Sequence, residues 1–467
     1  MSGLRAAALA ALLAGCASVP EEAGFPDVEQ AVAERIGARV EWDRGAPVDR
    51  EAAAAVRSLL GRELEAASAV QVALLNNRRL QAGYAELGVA QADLVEAGLL
   101  RNPVFDLELR FSSDGTGLEG SVVQNFLDLF FLPLRKRIAG AAFERAKLEV
   151  TGAVLDLAAE VRATFYALQA AEQTRELRET VRLAAEAAHE LARRLHEAGN
   201  LNDLDLANER AFHEQAKLDL AAAEADVLEL RERVNGLLGL WGPDTGWTAA
   251  RRLPDLPPEE TPGAGLEKRA VEQNLALAAI RQEIEIAAGR AGLARWTDLF
   301  PEGALGVTTE REFDGTWGVG PAFVLPLPLF NQGQPAAAAA RARLRQSQEL
   351  YYATAVEVRA RARAARSRLE AARARAGYFF GVLLPLRQAI VEETQKRVNA
   401  MAASLFQLLT ARREQIEAGT EYIESLRDYW IARTGLDQIL SGRLPPLDGS
   451  GTLRGGPRAA RPGGHAP

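Results

Sequence analysis

Histidine and cysteine are the side chains with which this chain could bind a transition metal or carry out nucleophilic chemistry. The chain has four histidines and one cysteine. His189 and His196 are seven residues apart in a stretch predicted to be helical, so they share one helix face and could ligate a metal ion. We interpret them instead as part of a solvated coiled-coil face. The only thioethers in the chain are those of Met1 and Met401, so ligation of a soft metal ion lacks support.

The sequence shows no set of polar residues with the spacing of a catalytic site. Gly318 and Gly320 are followed by Pro321, lack the third glycine of a phosphate-binding loop and lie on a predicted strand. We therefore predict that the chain is not an enzyme, carries no cofactor and has no metal site.

The single cysteine, Cys16, lies at the end of an export signal. Arg5 supplies the positive charge, the stretch from Leu4 to Ala14 is apolar, and Leu13-Ala14-Gly15-Cys16 resembles a bacterial lipobox. We predict that residues 1–15 are a signal peptide and that Cys16 is lipidated as the mature N-terminus. Ala17, rather than Asp, follows, which suggests sorting to the outer membrane. The alternative is an ordinary signal peptide with an incidental cysteine.

Composition favours an exported helical protein. Hydrophobic residues make up 48% of the 467 residues and aromatic ones only 6%, so the apolar content is mostly Ala, Leu and Val, which suits helices. The net charge of −8 argues against a nucleic-acid partner. After the signal, no stretch offers the roughly 18–20 uninterrupted apolar residues of a membrane-spanning helix.

An internal duplication organises the chain. Asp114-Gly115 and Asp314-Gly315 are 200 residues apart, and the stretch around Asn76-Asn77 parallels that around Gln273-Asn274. Each half reads helix, strand, strand, very long helix, helix. The predicted units are a lipidated lead-in with short helices (16–62), a first repeat (63–240, with hairpin 103–128), an ordered connector (241–265), a second repeat (266–441, with hairpin 303–326) and a disordered tail (442–467).

The element boundaries follow from periodicity, caps and turn residues. In the first repeat we predict helix 63–99, strands 104–112 and 119–127 joined by a loop longer than two residues, and helices 135–198 and 203–238. In the second we predict helix 266–296, strands 303–312 and 316–325, and helices 335–399 and 405–440, with a kink or local unwinding at Pro385. The long helices are too long for a compact globule and are expected to pack lengthwise as coiled coils.

We predict that the apolar face of the hairpin strands contacts lipid. Apolar residues alternate with polar or small ones along strands 104–112 and 316–325, more weakly along 303–312 and hardly at all along 119–127. Aromatic residues concentrate in the hairpins, as in the interfacial belts of transmembrane barrels. The predicted membrane-facing residues are Phe105, Leu107, Leu109, Phe111, Trp317, Val319 and Phe323. A soluble sandwich with an aromatic core is the alternative.

Four strands cannot form a closed barrel alone. An open sheet in lipid would leave edge N–H and C=O groups unpaired at several kcal/mol each, and the smallest spanning barrels have about eight strands. The chain must then share a barrel with copies of itself. Three copies would give about twelve strands, although the sequence leaves two or four copies open.

The far ends of the long helices are predicted to form two turns deep in the periplasm. In the first, Gly199 ends one helix and Asn202 or Asp203 caps the next; in the second, Ser404 and Gln407 form a capping box. The candidate tip residues are Gly199, Asn200, Asp203, Asp205, Ser404, Leu405, Phe406 and Gln407.

The segments ALLNNRRLQAGYAELGVAQADLVEAGLLRNP, AGNLNDLDLANE, GVGPAFVLPLPLFNQGQ and YIESLRDYWIARTGLDQIL resemble TolC-type outer-membrane factors over residues 60–440. The lipobox is similar to that of the lipoprotein branch associated with resistance-nodulation-division pumps. The resemblance implies a mainly α fold, in which a homotrimer shares a twelve-stranded β-barrel continued by a long coiled-coil α-barrel. It also implies outer-membrane lipid, a periplasmic adaptor protein and an inner-membrane efflux pump as partners.

Three functional alternatives stay open at this level. In the resembled family an acidic gate often lies near the second-half turn, but here that turn has no acid; Asp203 and Asp205 could line the pore or only cap and solvate a helix. Leu405 and Phe406 could instead form an apolar plug. The alternative to a conducting duct is a lipid-anchored periplasmic coiled-coil scaffold.

Overall fold

We analysed a computed structural model, which describes residues 18–45, 47–112, 115–260, 263–299, 303–325 and 329–445. The lead-in contains two helices, α1 (Phe25–Ile36) and α2 (Pro47–Leu60), as predicted. Cys16 and the predicted signal peptide lie outside the described residues, as does the tail beyond residue 445.

Each repeat begins with two helices where the sequence predicted one. The first has the short strand β1 (Glu63–Leu64) and then α3 (Ala66–Asn76) and α4 (Arg78–Ala97). The second has α7 (Leu266–Gln273) and α8 (Leu275–Leu299). The single helices predicted over 63–99 and 266–296 were therefore wrong.

An extended asparagine causes each break. Asn77 has ψ 113°, and its side chain caps α4 by accepting from Leu80 N at 3.0 Å. Its Nδ2 also donates to the carbonyl oxygen of Leu237 at 2.8 Å, at the end of the helix α6 defined below. Asn274, with ψ 118°, caps α8 through Leu277 N at 2.9 Å. The duplication seen in the sequence thus extends to the backbone.

The four hairpin strands form one antiparallel sheet in the order β2-β3-β5-β6. Its strands are β2 (Val104–Ser112), β3 (Gly115–Asn125), β5 (Ala304–Arg311) and β6 (Trp317–Val324). The hairpins join through the β3–β5 pairing, from Leu118 opposite Arg311 to Asn125 opposite Ala304. The first loop is shorter than predicted, because Ser112 pairs directly with Gly115.

Four long helical segments run away from the sheet. The first is α5 (Leu127–Glu197), whose 71 residues correspond to about 107 Å. It returns as α6 (Asp203–Leu238). The second repeat supplies α9 (Gln334–Tyr378), a π-helical segment (Phe379–Leu383), α10 (Leu384–Asn399) and the returning α11 (Leu405–Leu440).

Proline shapes two of these helices. The π-helical segment ends two residues before Pro385, which lacks an N–H group, so the predicted local unwinding is confirmed. In α5, Pro133 lies inside the helix, and the helix starts at Leu127 rather than near residue 135 as predicted. A single proline near the start of a long helix was therefore tolerated.

The long helices pack side by side in a layer. Away from the sheet the order is α6, α5, α11 and then α9 with α10. Nearer the sheet, α4 packs on α5, α5 on α8, and α8 on α9. The predicted lengthwise packing is confirmed, and α6 and α9–α10 lie at the two edges of the layer.

The main core lies where the lead-in and connector wrap the long helices. Tyr84, Phe165 and Leu168 are among its fully buried side chains. The connector contributes β4 (Thr248–Ala249), which pairs in parallel with β1. Trp247 is buried there and donates Nε1–H to the side-chain oxygen of Asn235 at 2.8 Å. The connector is thus ordered, as predicted.

The start of the predicted C-terminal tail is held in place. The guanidinium of Arg443 forms an ion pair with Asp156 of α5, and the carbonyl oxygen of Pro445 accepts from Arg361 of α9 at 2.8 Å. Residues 442–445 were assigned to a disordered tail, which was wrong. Contacts with helices distant in sequence fix them.

Candidate functional site

The sheet gathers every predicted membrane-facing residue on one face. Directly opposed residues of an antiparallel ladder point to the same side. The register aligns Leu107, Gly120, Thr309 and Val319 in one row across the four strands. Neighbouring rows on this face contain Phe105 with Val122 and Val307, Leu109 with Leu118 and Trp317, and Leu305 with Phe323.

This apolar face is uncovered by the rest of the chain that the structure describes. Phe111 is 80% exposed, Val319 74% and Phe323 72%. Aromatic side chains lie towards its two ends, Phe111 and Trp317 near the hairpin turns and Phe105 and Phe323 near the helices. The row of Leu107 and Val319 lies between them, and Arg311 shares the row of Trp317 near the turns. Five rows span about 27 Å along a strand, or roughly 21 Å at a 40° tilt, close to the apolar band of a membrane barrel.

The opposite face is polar and small. Arg110 of β2 forms ion pairs with Glu108 at 3.0 Å and with Glu119 of β3 at 2.8 Å. Glu310 lies in the same row as Glu108 and Glu119. Gly117, Gly306, Gly318 and Gly320 are also on this side, where a Cβ on Gly306 would lie 2.2 Å from the carbonyl oxygen of Val122. This face can line a water-filled space.

The two turns at the far ends of the long helices are built alike. The amides of Ala198, Gly199 and Asn200 donate to Arg194, His196 and Leu195 carbonyls. The amides of Ala400, Met401 and Ala402, 202 residues later, repeat this pattern. Both middle residues have positive φ, 75° at Gly199 and 56° at Met401. Met401 therefore takes a conformation that normally favours glycine.

The predicted caps are present at both turns. Asn202 caps α6 by accepting from Asp205 N at 2.8 Å. Ser404 and Gln407 form the capping box at α11. Asp205 also accepts from the Asn202 amide at 2.8 Å, whereas the Asp203 side chain is almost fully exposed. The side chain of Leu405 lies outside the described residues, and its role and that of the other tip residues remain predictions.

Apolar side chains project at equivalent positions of the two turns. Leu204 and Phe406 each follow the cap by two residues, and both are exposed. Met401 is 95% exposed at the apex of the second turn. The first turn therefore carries a charged side chain, Asp203, whereas the second carries apolar side chains. The two turns differ in polarity although their backbone conformations are alike.

The histidines are arranged differently from the sequence prediction. His189 does not meet His196 but stacks on His213 of α6, with ring centroids 5.7 Å apart. His196 instead contacts the Leu201 carbonyl oxygen at 2.9 Å through Nδ1. Within the described ranges, no group of three or more His, Cys, Asp or Glu residues is suited to a metal ion.

A buried acid accompanies the stacked histidines. Glu209 is buried on α6, and burial raises the pKa of its carboxyl, opposed by the charges of Arg413 and His189. Arg413 belongs to α11 and lies over the Phe212 ring at 3.9 Å. These contacts hold the helix pair α5–α6 against α11 about one-quarter of the way along α6. Sequence spacing could not reveal them.

Among helices in the described part of the chain, none is both long and apolar enough to cross a bilayer. An amphipathic four-stranded sheet at one end of a long antiparallel helix layer is the architecture of the TolC-like fold.

Comparisons with known proteins relate the first repeat to one family and most of the chain to one curated protein. Residues 69–240 match the model of the outer membrane efflux protein family. The chain is 23% identical over 378 residues to the cobalt-zinc-cadmium resistance protein CzcC of Cupriavidus metallidurans, covering 80% of this chain and 89% of that protein. Residues 69–240 thus carry the outer membrane efflux protein domain, and the chain is similar to CzcC over most of its length.

Solved structures share the fold. CusC, whose structure concerns transmembrane channel formation, aligns with TM-score 0.69 at 16% identity, covering 82% of this chain and 93% of CusC. The CmeC outer membrane channel of Campylobacter jejuni aligns with TM-score 0.67 at 16% identity, covering 81% and 85%. The TolC-like fold predicted from the sequence is confirmed.

Proposed function

We propose that three copies of this chain form a passive duct that carries solutes from the periplasm across the outer membrane. The observation that supports this most directly is the four-stranded sheet, with an uncovered apolar face, a polar opposite face and two edges. A face with Phe111, Val319 and Phe323 exposed is costly in water but favourable in hydrocarbon.

The sheet edges require sister copies. Edge strands β2 and β6 each pair with one neighbour in the described sheet. Because four strands alternate in direction, β6 of one copy runs antiparallel to β2 of the next, so a ring of copies closes without a mismatch. Three copies supply twelve strands, enough for an open lumen lined by the polar face. The match of residues 69–240 to the outer membrane efflux protein family supports the trimer.

The partners follow from the two ends of the molecule. The tips around Gly199 and Met401 would meet a periplasmic adaptor, and through it an inner-membrane pump of the resistance-nodulation-division type. Lipidation of Cys16 would add an anchor at the outer membrane. The resistance named for CzcC suggests divalent metal ions as cargo, which would pass through the duct without a dedicated binding site.

Single-channel recording on the purified protein in planar bilayers tests the duct. We expect discrete conductance steps from a species whose native mass equals three chains. A lipid-anchored scaffold would bind membranes but give no current, and that result would reject the proposal. For the cargo, deletion should sensitise the host to cobalt, zinc or cadmium; unchanged tolerance to all three would reject metal export while leaving the duct intact.

A further inference from the structure

Exposed apolar side chains form a band where the sheet meets the helices. Leu129 and Phe130 lie in the first turn of α5, and Leu329 and Phe330 lie just before α9. All four are exposed, Phe330 to 98%. Aromatic and other apolar side chains at the end of a membrane-spanning sheet are typical of the boundary between hydrocarbon and lipid headgroups. We place the periplasmic boundary of the hydrocarbon at this band.

Three exposed arginines lie on the helices below the band. Arg137 is on α5, and Arg341 and Arg345 are on α9. The described part of the chain provides none of these three with an ion pair. Further along α9, by contrast, Arg373 pairs with Glu260 at 2.9 Å. The three upper guanidinium groups are therefore available to an anion outside the chain.

The arginines of the two helices lie at nearly the same height. Ile138, which follows the α5 arginine, lies against Gly289 of α8. Eight residues before Gly289, and thus about 12 Å lower, Arg281 donates to the hydroxyl oxygen of Tyr351 of α9 at 2.9 Å. Arg341 is ten residues above Tyr351, or about 15 Å higher. It is therefore within about 3 Å of the height of Ile138.

The handedness of the chain determines which side of the layer is continuous with the apolar sheet face. Ser112 and Gly115 close the first hairpin as a hydrogen-bonded pair, so β2 residues on the apolar face direct their N–H and C=O groups away from β3. For L-residues, the strands then run from right to left as β2, β3, β5 and β6 when the apolar face is viewed with the turns uppermost. The helices below follow, with α4 to the right of α5, and α8 between α5 and α9.

The α5 arginine faces the apolar side of the layer. Lys136 lies against the end of α4 and Leu134 against α8, which fixes the right and left directions around α5. A right-handed helix that descends from the sheet then directs Phe130 and Arg137, seven residues apart, towards the side of the apolar sheet face. Arg137 therefore lies directly below an exposed aromatic ring of the band.

The α9 arginines face the same side. Ala340 and Ser347 are buried towards α8, which lies to the right of α9. Relative to them, Arg341 and Arg345 are rotated by about 110° and 150° in the direction of the apolar side. Arg343, between them in sequence, points to the opposite, polar side and is also exposed. The helix thus separates its own arginines onto two sides.

We infer that Arg137, Arg341 and Arg345 form a basic collar that binds the anionic headgroups of phospholipids in the periplasmic leaflet. This inference rests on the insertion of the sheet into the outer membrane proposed above. Side chains of a helix lean towards its N-terminus, which for α5 and α9 is the membrane end. Arg137 lies about 10 Å below Phe130, and its side chain reaches back about 6 Å. The guanidinium therefore lies within the headgroup layer, which extends about 5–7 Å beyond the hydrocarbon.

Phospholipid phosphate is the anion that this position favours. A guanidinium group donates two parallel hydrogen bonds to phosphate oxygens, and anionic headgroups lie in a layer at this height. The chain as a whole has a net charge of −8, so the collar is a local concentration of positive charge. Three copies would provide nine such arginines around the barrel.

Spin-labelled lipids test the collar. With the purified protein in phosphatidylcholine liposomes, electron paramagnetic resonance gives the association of labelled phosphatidylglycerol with the protein relative to labelled phosphatidylcholine. A basic residue near an anionic surface favours association about fivefold, which averages to about threefold when only one leaflet is affected. Raising the ionic strength to about 1 M should remove this preference, and its persistence would overturn the collar without any substitution.

A matched pair of double variants tests the residues. Arg137→Gln with Arg341→Gln should remove at least half of the excess association. The control, Arg290→Gln with Arg343→Gln, removes the same charge at nearly the same height. Arg290 and Arg343 are both exposed, but they point to the polar side of the layer, so the control should keep the wild-type preference.

The outcomes separate the collar from the duct. A wild type that is trimeric and conducts but associates equally with both lipids overturns the collar and leaves the duct intact, as does equal loss in the two double variants. Displacement of labelled phosphatidylglycerol by excess inorganic phosphate at constant ionic strength would show that the arginines bind a free anion, which also overturns the collar. A wild type with neither trimer nor current rejects the duct and the collar together.

Discussion

Substitution of Val319 by arginine is the sharpest test of which sheet face meets lipid. Val319 occupies the middle row of the apolar face and is 74% exposed in the single chain. An arginine at the midplane of a lipid-facing strand costs about 2–4 kcal/mol. Three copies in one barrel would bring the total to about 6–12 kcal/mol, comparable to the whole stability of a small domain.

The neighbouring residue provides the control. Gly320 points to the polar face, in the row of Thr308 and Ser121, and a Cβ there meets no atom within 4 Å. Gly320→Arg should therefore assemble nearly as well as the wild type. We would measure the fraction inserted in liposomes and the guanidinium midpoint of the barrel. Equal behaviour of the two variants, or greater damage from Gly320→Arg, would refute the assignment of the faces.

Three further predictions concern the helices. Asn77→Ala should lower the free energy of unfolding by about 2–3 kcal/mol, because it removes the α4 cap and the bond to Leu237, as thermal denaturation would show. Phe406→Ala should raise the conductance of closed trimers in single-channel records if an apolar plug closes the tip. The third uses pH. Burial raises the pKa of Glu209, so its stabilising contribution is full below the ordinary value of 4.5 and declines as pH rises through the raised pKa. Glu209→Gln should flatten that decline in Tm measured against pH.

Controls distinguish these effects from general damage. Asn200→Ala changes an exposed turn residue and should shift stability by less than about 0.5 kcal/mol. Leu204→Ala changes the equivalent position of the other tip and should leave the conductance of the closed state unchanged if Phe406 forms the plug. If Glu209→Gln gives the same pH profile as the wild type, the carboxyl is not the group that titrates.

Glu260 provides a contrast for the pH experiment. Burial opposes its ionisation, but hydrogen bonds from Tyr429 and Arg373, with the charge of Arg433, hold its pKa below the ordinary value. Its contribution is therefore present above pH 4.5 and lost as pH falls through the lowered pKa, so Glu260→Gln should flatten the acid side of the profile. Burial together with Glu260 raises the pKa of Tyr429 to about 12, so the tyrosine stays a donor.

Local chemistry determined much of the fold from the sequence alone. Helices 203–238 and 405–440 and strand 104–112 agree with the structure at both ends, because caps such as Asn202 and Ser404 and period-two alternation act within a few residues. The alternation also identified the apolar side of β2 and β6, but it was too weak to do so for β3. The predicted family and TolC-like fold followed from the same segments.

Tertiary structure decided what depends on partners distant in the chain. Asn77 breaks a helix because the carbonyl group of Leu237 at the end of α6, 160 residues away, accepts from its side chain. His189 meets His213 because α5 and α6 pack side by side there, and Arg443 is fixed by Asp156. The apolar faces of the four strands lie on one side of the sheet because of the register of β3 against β5, which joins the two hairpins. Short-range patterns specify elements, whereas the satisfaction of buried polar groups across the molecule specifies where those elements end and meet.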